Sequence, residues 1–261
     1  MMGRRLGSPA LVGALLTALA GFSAGVAQAD RVHVAVAANF APCLEALAPL
    51  FAEETGHHLV LSRGSTGRHF AQIKAGAPFD VFLAADSDRP TRLEDEGLIV
   101  PGSRITYAEG RLALWLPNPG PGENRTAADY LKSDDFNHLA IANPRLAPYG
   151  LAARQVLENL QLWDGLQDRL VTGQNVGQAW QFVATGNATA GLVAYPQLLG
   201  DAPPPGRWWT LDPPLHQPIL QQGVVLKHAA HPTAALALLD FLQGPAAMVI
   251  MIRYGYLIPE N

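Results

Sequence analysis

Four short stretches of this 261-residue chain place small, neutral hydrogen-bond donors where an apolar-periodic segment begins. They are Ala38-Asn39-Phe40-Ala41-Pro42, Gly64-Ser65-Thr66-Gly67, Ala147-Pro148-Tyr149-Gly150 and Gln174-Asn175-Val176-Gly177. Asn, Ser or Thr ahead of such a segment, or Pro in its first turn, marks a helix start, where backbone N–H groups lack intrahelical acceptors and the macrodipole is positive. Such an end seats an anion. The side chains of Asn39, Ser65 and Thr66 and the Tyr149 hydroxyl add donors, and no Asp or Glu falls in any of the four stretches. Neutral donors alone select a fully deprotonated oxyanion, because a protonated one needs an acceptor for its hydrogen. Ordinary capping accounts for any single stretch. The four together point to one small anion.

The remaining reactive side chains read as structural. Asp80 and Asp86 stand at opposite ends of an apolar run and are expected to cap turns rather than act as an acid–base pair. His57 and His58 are adjacent on a predicted strand, so they point to opposite faces and do not converge on a metal. Arg63 and Arg68 border the second stretch as solvated positions, and Trp163, Trp180, Trp208 and Trp209 read as packing residues. Cys43 is the only cysteine, which excludes an intrachain disulfide and suits a small buried apolar residue. Beyond residues 1–29 the chain has no G-x-S-x-G elbow, no clustered metal ligands and no placed base, so a periplasmic oxyanion enzyme is the disfavoured alternative.

Alternating elements must position these stretches. Strands are predicted at 32–37, 58–62, 80–84, 111–116, 139–142, 190–194 and 219–226. Helices are predicted at 42–54, 66–75, 91–96, 127–131, 151–160, 176–185, 232–242 and 245–254. Alternation of this kind predicts α/β architecture, with mostly parallel sheets flanked by helices. Two similar blocks followed by a closing helix pair imply two lobes with a ligand cleft between them. The first part of lobe 1 is expected at 30–110, lobe 2 at 111–221, and a return segment completing lobe 1 at 222–261. In open α/β sheets ligands bind off the carboxyl ends of strands, where all four stretches fall.

Residues 1–29 carry Arg4-Arg5, an apolar run and Ala27-Gln28-Ala29, which fits a secretory signal and a mature start at Asp30. Losing Arg4 and Arg5 takes the formal charge from −4 to −6. An acidic chain with no basic block is no nucleic-acid binder.

The segments Val36-Ala37-Ala38-Asn39-Phe40, Gly64-Ser65-Thr66-Gly67, Asn143-Pro144 with Ala147 to Ala153, Asn175-Val176-Gly177-Gln178-Ala179, and above all the run from Ala71 to Asp86, resemble the periplasmic molybdate-binding proteins of ABC transporters. The resemblance covers most of the chain beyond the leader. It implies a two-lobed solute-binding fold, molybdate or tungstate as ligand, no cofactor, no direct metal ligand (molybdenum enters only as its oxyanion), a membrane permease as partner, and a periplasmic monomer. Another tetrahedral oxyanion such as sulfate is the alternative ligand. The resemblance further implies Asn39, Ser65, Thr66, Tyr149 and Val176 as ligand-binding residues, with Ala38, Asn175 and Tyr195 as further candidates. Many relatives carry a tyrosine where this chain has Ala194, and Tyr195 follows one place late.

Overall fold

The computed structural model describes residues 29–119, 125–133, 135–200, 202–211 and 213–259. Of the expected leader, only Ala29 falls within them.

The chain opens with β1 (Arg31–Ala37), α1 (Ala41–Thr55), β2 (His58–Gly64), α2 (Thr66–Lys74), β3 (Val81–Ala84) and α3 (Asp88–Asp95). β4 (Ile105–Gly110) leads through Arg111 directly into β5 (Leu112–Leu116). Then follow α4 (Ala127–Lys132), β6 (Leu139–Ala142), α5 (Pro148–Asn159), β7 (Leu170–Gly173), α6 (Val176–Ala184), β8 (Ala190–Ala194), α7 (Pro196–Leu199) and β9 (Arg207–Leu211). β10 (Ile219–Val225), α8 (Pro232–Leu242) and α9 (Pro245–Arg253) complete the order.

These strands form two five-stranded sheets, β2-β1-β3-β10-β4 and β7-β6-β8-β5-β9. The two have the same plan. In each, a central strand pairs in parallel with two neighbours (β1 with β2 and β3, β6 with β7 and β8), and a strand next to them runs antiparallel (β10 against β3, β5 against β8). The sheets are thus mixed, because β5 and β10 each enter from the other lobe. The central strands β3, β5, β6 and β8 are wholly buried and apolar, and β1 is so from Val34 onward, as strands covered on both faces must be. Apolar clusters lie on both faces of each sheet. In lobe 1, Val34, Val36, Leu44, Leu47 and Leu238 gather on one side and Phe82, Leu93 and Val224 on the other.

The crossings between lobes run side by side. Gly110 pairs with Ile219 in the first sheet, and Leu112 pairs with Leu211 in the second, so a single residue, Arg111, separates the sheets on one connection. Gly110 is required by the approach of Tyr149: a Cβ there would lie 2.1 Å from the Tyr149 hydroxyl and 3.0 Å from Nε2 of Gln221. After α9 the tail returns to the edge of lobe 1, where the Glu109 and Leu257 backbones exchange hydrogen bonds of 2.7 and 2.9 Å.

Asp80, expected to cap a turn, does so from a buried position. Its Oδ2 accepts from His33 N at 2.7 Å, and its Oδ1 accepts from Ala230 N at 2.6 Å and His231 N at 3.2 Å. One carboxylate therefore ties β1, β3 and the entry to α8 together. Cys43 is fully buried, and burial pushes its thiol pKa up, so it packs as an apolar side chain. Asp80→Asn replaces one acceptor with a donor facing a backbone N–H. It should cost about 1.5–3 kcal/mol, the worth of hydrogen bonds to a charged group. Thermal unfolding should place the midpoint roughly 3–12 °C lower, and an unchanged midpoint would mean that the carboxylate is dispensable.

Candidate functional site

The carboxyl ends of β1, β2 and β3 in lobe 1 meet the starts of α5 and α6 in lobe 2 around a small cavity of about 10 Å³. Drug-sized ligand pockets span roughly 300–1,000 Å³, so this space is far too small for such a molecule. Ala37, Ala38, Asn39, Gly64, Ser65, Thr66 and Ala85 line it from lobe 1, and Ala147, Pro148, Tyr149, Asn175 and Val176 from lobe 2. None carries a charge. Seven of the eight sequence-predicted site residues are therefore brought together. Tyr195 is not among them: it precedes α7, its ring lies under the Arg111 guanidinium at 5.1 Å, and its N–H bonds to Arg111 O at 2.9 Å.

The helix starts hold donors ready. Pro148 opens α5 in the first turn, which begins three residues before the predicted Leu151. Gly150 N and Leu151 N bond to Ala147 O, and the Tyr149 N–H has no acceptor among the described residues. Asn175 caps α6 by accepting from Gln178 N at 3.0 Å, and Gln178 Oε1 accepts from Gln174 N at 2.7 Å, so the Val176 N–H is likewise open. On the lobe 1 side the N–H groups of Asn39 and Thr66 have no acceptor among the described residues. The Thr66 hydroxyl accepts from Ala85 N at 3.1 Å, which turns its own proton elsewhere. The Ser65 hydroxyl makes no cap bond to α2.

Asn39 departs from expectation. Phe40, not Asn39, precedes the first turn of α1, because the Asn39 side chain turns into the lobe. Its Nδ2 donates to Gln221 Oε1 at 2.8 Å and to the Tyr256 hydroxyl at 3.1 Å, and Tyr256 in turn donates to Asn39 O at 3.0 Å. Both amide protons are thus spent inside the protein, and what Asn39 offers the cavity is its backbone N–H. Gln221 and Tyr256 are the partners of Asn39 that sequence reading missed. Nothing in their spacing links them to Asn39, which lies 182 and 217 residues away.

Two further groups shape the site. The buried His69 imidazole faces Val36 O at 3.2 Å and Gln72 Oε1 at 3.0 Å, which fixes α2 against the end of β1. Burial lowers its pKa and so favours the neutral ring. The fully buried Tyr149 hydroxyl lies against Gly110 without a hydrogen-bond partner, and burial raises its pKa, opposed by the Asn39 side chain.

Comparison with known proteins places this geometry. The model of the bacterial extracellular solute-binding proteins matches residues 32–257. The chain belongs to that family. It is similar to the molybdate-binding protein ModA of Azotobacter vinelandii, 47% identical over 238 residues, covering 91% of this chain and 94% of that protein. Likeness to ModA of Rhodobacter capsulatus is 45% over 230 residues, 88% of this chain and 89% of the relative. The solved Azotobacter vinelandii periplasmic molybdate-binding protein superposes with a TM-score of 0.83 at 41% identity, covering 88% of this chain and all 100% of that structure.

The two adjacent hydroxyls can be told apart without ligand. Thr66→Ala strands the buried Ala85 N–H and should cost about 1–3 kcal/mol of stability, whereas Ser65→Ala removes an uncommitted hydroxyl and should be close to neutral. Thermal unfolding of both variants checks this, and equal midpoints would refute the assignment of the Ala85 bond.

Proposed function

We propose that this chain captures molybdate, and tungstate equally, in the periplasm and presents it to the permease of an ABC transporter, acting as a monomer and performing no reaction. The observation that carries this reading is the cavity lining: open N–H groups of Asn39 and Thr66 from one lobe and of Tyr149 and Val176 from the other, with the Ser65 and Thr66 hydroxyls and no carboxylate. A dianion leaving water loses a large hydration energy, which preorganised neutral donors offset. Half the donors come from each lobe, so the anion gains its full set only when the lobes are together, and that difference drives closure. The 47% and 45% identities to molybdate-binding proteins over nearly their whole length support the choice of anion. Phosphate fits poorly, because at neutral pH it keeps a proton for which the lining has no carboxylate.

In this reading the Tyr149 main chain, not its hydroxyl, meets the anion. Tyr149→Phe should accordingly bind molybdate within about twofold of the parent in calorimetry, and a loss of tenfold, or about 1.4 kcal/mol, would assign the contact to the hydroxyl.

Thermal unfolding with molybdate, tungstate, sulfate, phosphate or no anion tests the function. A ligand present at about a thousand times its Kd and binding only the folded state adds roughly 4.1 kcal/mol. At about 2–4 °C per kcal/mol for a chain of this size, molybdate and tungstate should raise the midpoint by roughly 8–16 °C. Sulfate and phosphate should move it little. An equal shift with sulfate would overturn the specificity, and no shift with any of the four would overturn the proposal.

A further inference from the structure

Just outside the cavity, each of three lining residues is followed or preceded by a residue that touches the opposite lobe or supports one that does. Thr66 is followed by Gly67, whose N–H donates to Leu146 O of lobe 2 at 2.8 Å. Ala85 is followed by Asp86, whose carboxylate grips Arg89: Oδ1 accepts from Arg89 N at 3.1 Å and Oδ2 pairs with Nη1. The other arm of that guanidinium, Nη2, donates across the cleft to Arg145 O at 3.2 Å. Ala147 is preceded by Leu146 itself. The 143–147 turn is built to present these two carbonyls outward, since its N–H groups are consumed locally: Arg145 N bonds to Asn143 Oδ1 at 2.9 Å, and Leu146 N and Ala147 N bond to Asn143 O at 3.1 and 2.9 Å.

The fit is close. A Cβ on Gly67 would stand 2.9 Å from Leu146 O and 3.1 Å from both Leu146 Cα and Arg89 Nη2. The Asp86 and Arg89 side chains are each only 19% exposed, so their pairing is shielded from bulk water and salt more than a surface bridge would be. Arg92, one turn further along α3, is different: it pairs with Asp88 of its own helix at 3.5 Å, lies over Phe70, and has no partner in lobe 2 among the described residues.

We propose that Asp86, Arg89 and Gly67 form a latch on the Arg145 and Leu146 carbonyls, and that Arg89 is a positioning residue which sets how long the closed form holds its ligand without touching that ligand. The ligand itself rests on the molybdate reading, but the latch does not. Its contacts exist only when the lobes meet, so they stabilise the closed form selectively and act on release rather than on first encounter. Lysine cannot replace the arginine fully, because one ammonium cannot hold the Asp86 carboxylate and the Arg145 carbonyl with a rigid fork.

The test follows escape of isotope-labelled molybdate into excess unlabelled anion from the parent and the variants Arg89→Ala, Arg89→Lys and Arg92→Ala. Loss of one charge-assisted bond across the cleft should make release about tenfold faster in Arg89→Ala, with capture within about twofold of the parent. Arg89→Lys should fall between, and Arg92→Ala should match the parent. Equal release from Arg89→Ala and parent, or a loss confined to capture, overturns the latch. If the parent binds no molybdate, the functional reading fails separately. Amide exchange at Gly67 with whichever of tungstate, sulfate and phosphate raises the unfolding midpoint then decides the latch: exchange at least about fivefold faster in Arg89→Ala sustains it, and equal exchange refutes it.

Discussion

Four helix starts in two lobes aim unpaired backbone N–H groups at one small space. A buried N–H without an acceptor costs free energy comparable to a lost hydrogen bond, so an arrangement that leaves several of them open needs water or a ligand to accept from them. Much of the local design follows. β1, β2, β6 and β7 each end within a few residues of the helix that follows. The capping side chains that could have satisfied these N–H groups are short, absent or turned away: Asn175 serves Gln178 N, Ser65 serves none in α2, and Asn39 faces inward. Pro at the start of α1 and α5 removes N–H groups that would otherwise compete.

The junction between the lobes carries the second part of the design. Gln221 is fully buried on β10, beside an irregularity in its pairing with β4, and there its Oε1 takes the Asn39 amide while its Nε2 bonds to Ile219 O at 2.9 Å. Tyr256 closes the same network from the far end of the chain. On the lobe 2 side Tyr149 inserts its ring toward Gly110. The floor of the site is therefore also the wall of the crossing between the lobes, where Asn39 and Tyr149 meet Gln221 and Gly110.

What could be read from the sequence divides along physical lines. Strands buried on both faces announce themselves as continuous apolar runs, and β1, β3, β5, β6, β8 and β10 are all legible. The strands that escaped, β4, β7 and β9, are all sheet edges. Their residues, such as Thr106 and Glu109 in β4, Thr172 in β7 and Arg207 in β9, are half in water, and the apolar signal is correspondingly broken. Helix starts were legible because capping chemistry is local. What the Asn39 side chain does was not, because its partners lie on the returning strand and the tail, and only the folded topology makes them neighbours.

The route of the chain also constrains the order in which the molecule can be finished. The second sheet is drawn from one continuous stretch, β5 to β9, whereas the first needs β10 between β3 and β4, α8 and α9 against α1, and Tyr256 beneath Asn39. Contacts of such long sequence separation form late, since the loop between them must be closed first. As the chain emerges from synthesis or crosses a membrane amino end first, lobe 2 can be complete while lobe 1 still lacks an inner strand. The candidate site, which needs both, comes into being only once β10 and Tyr256 are in place.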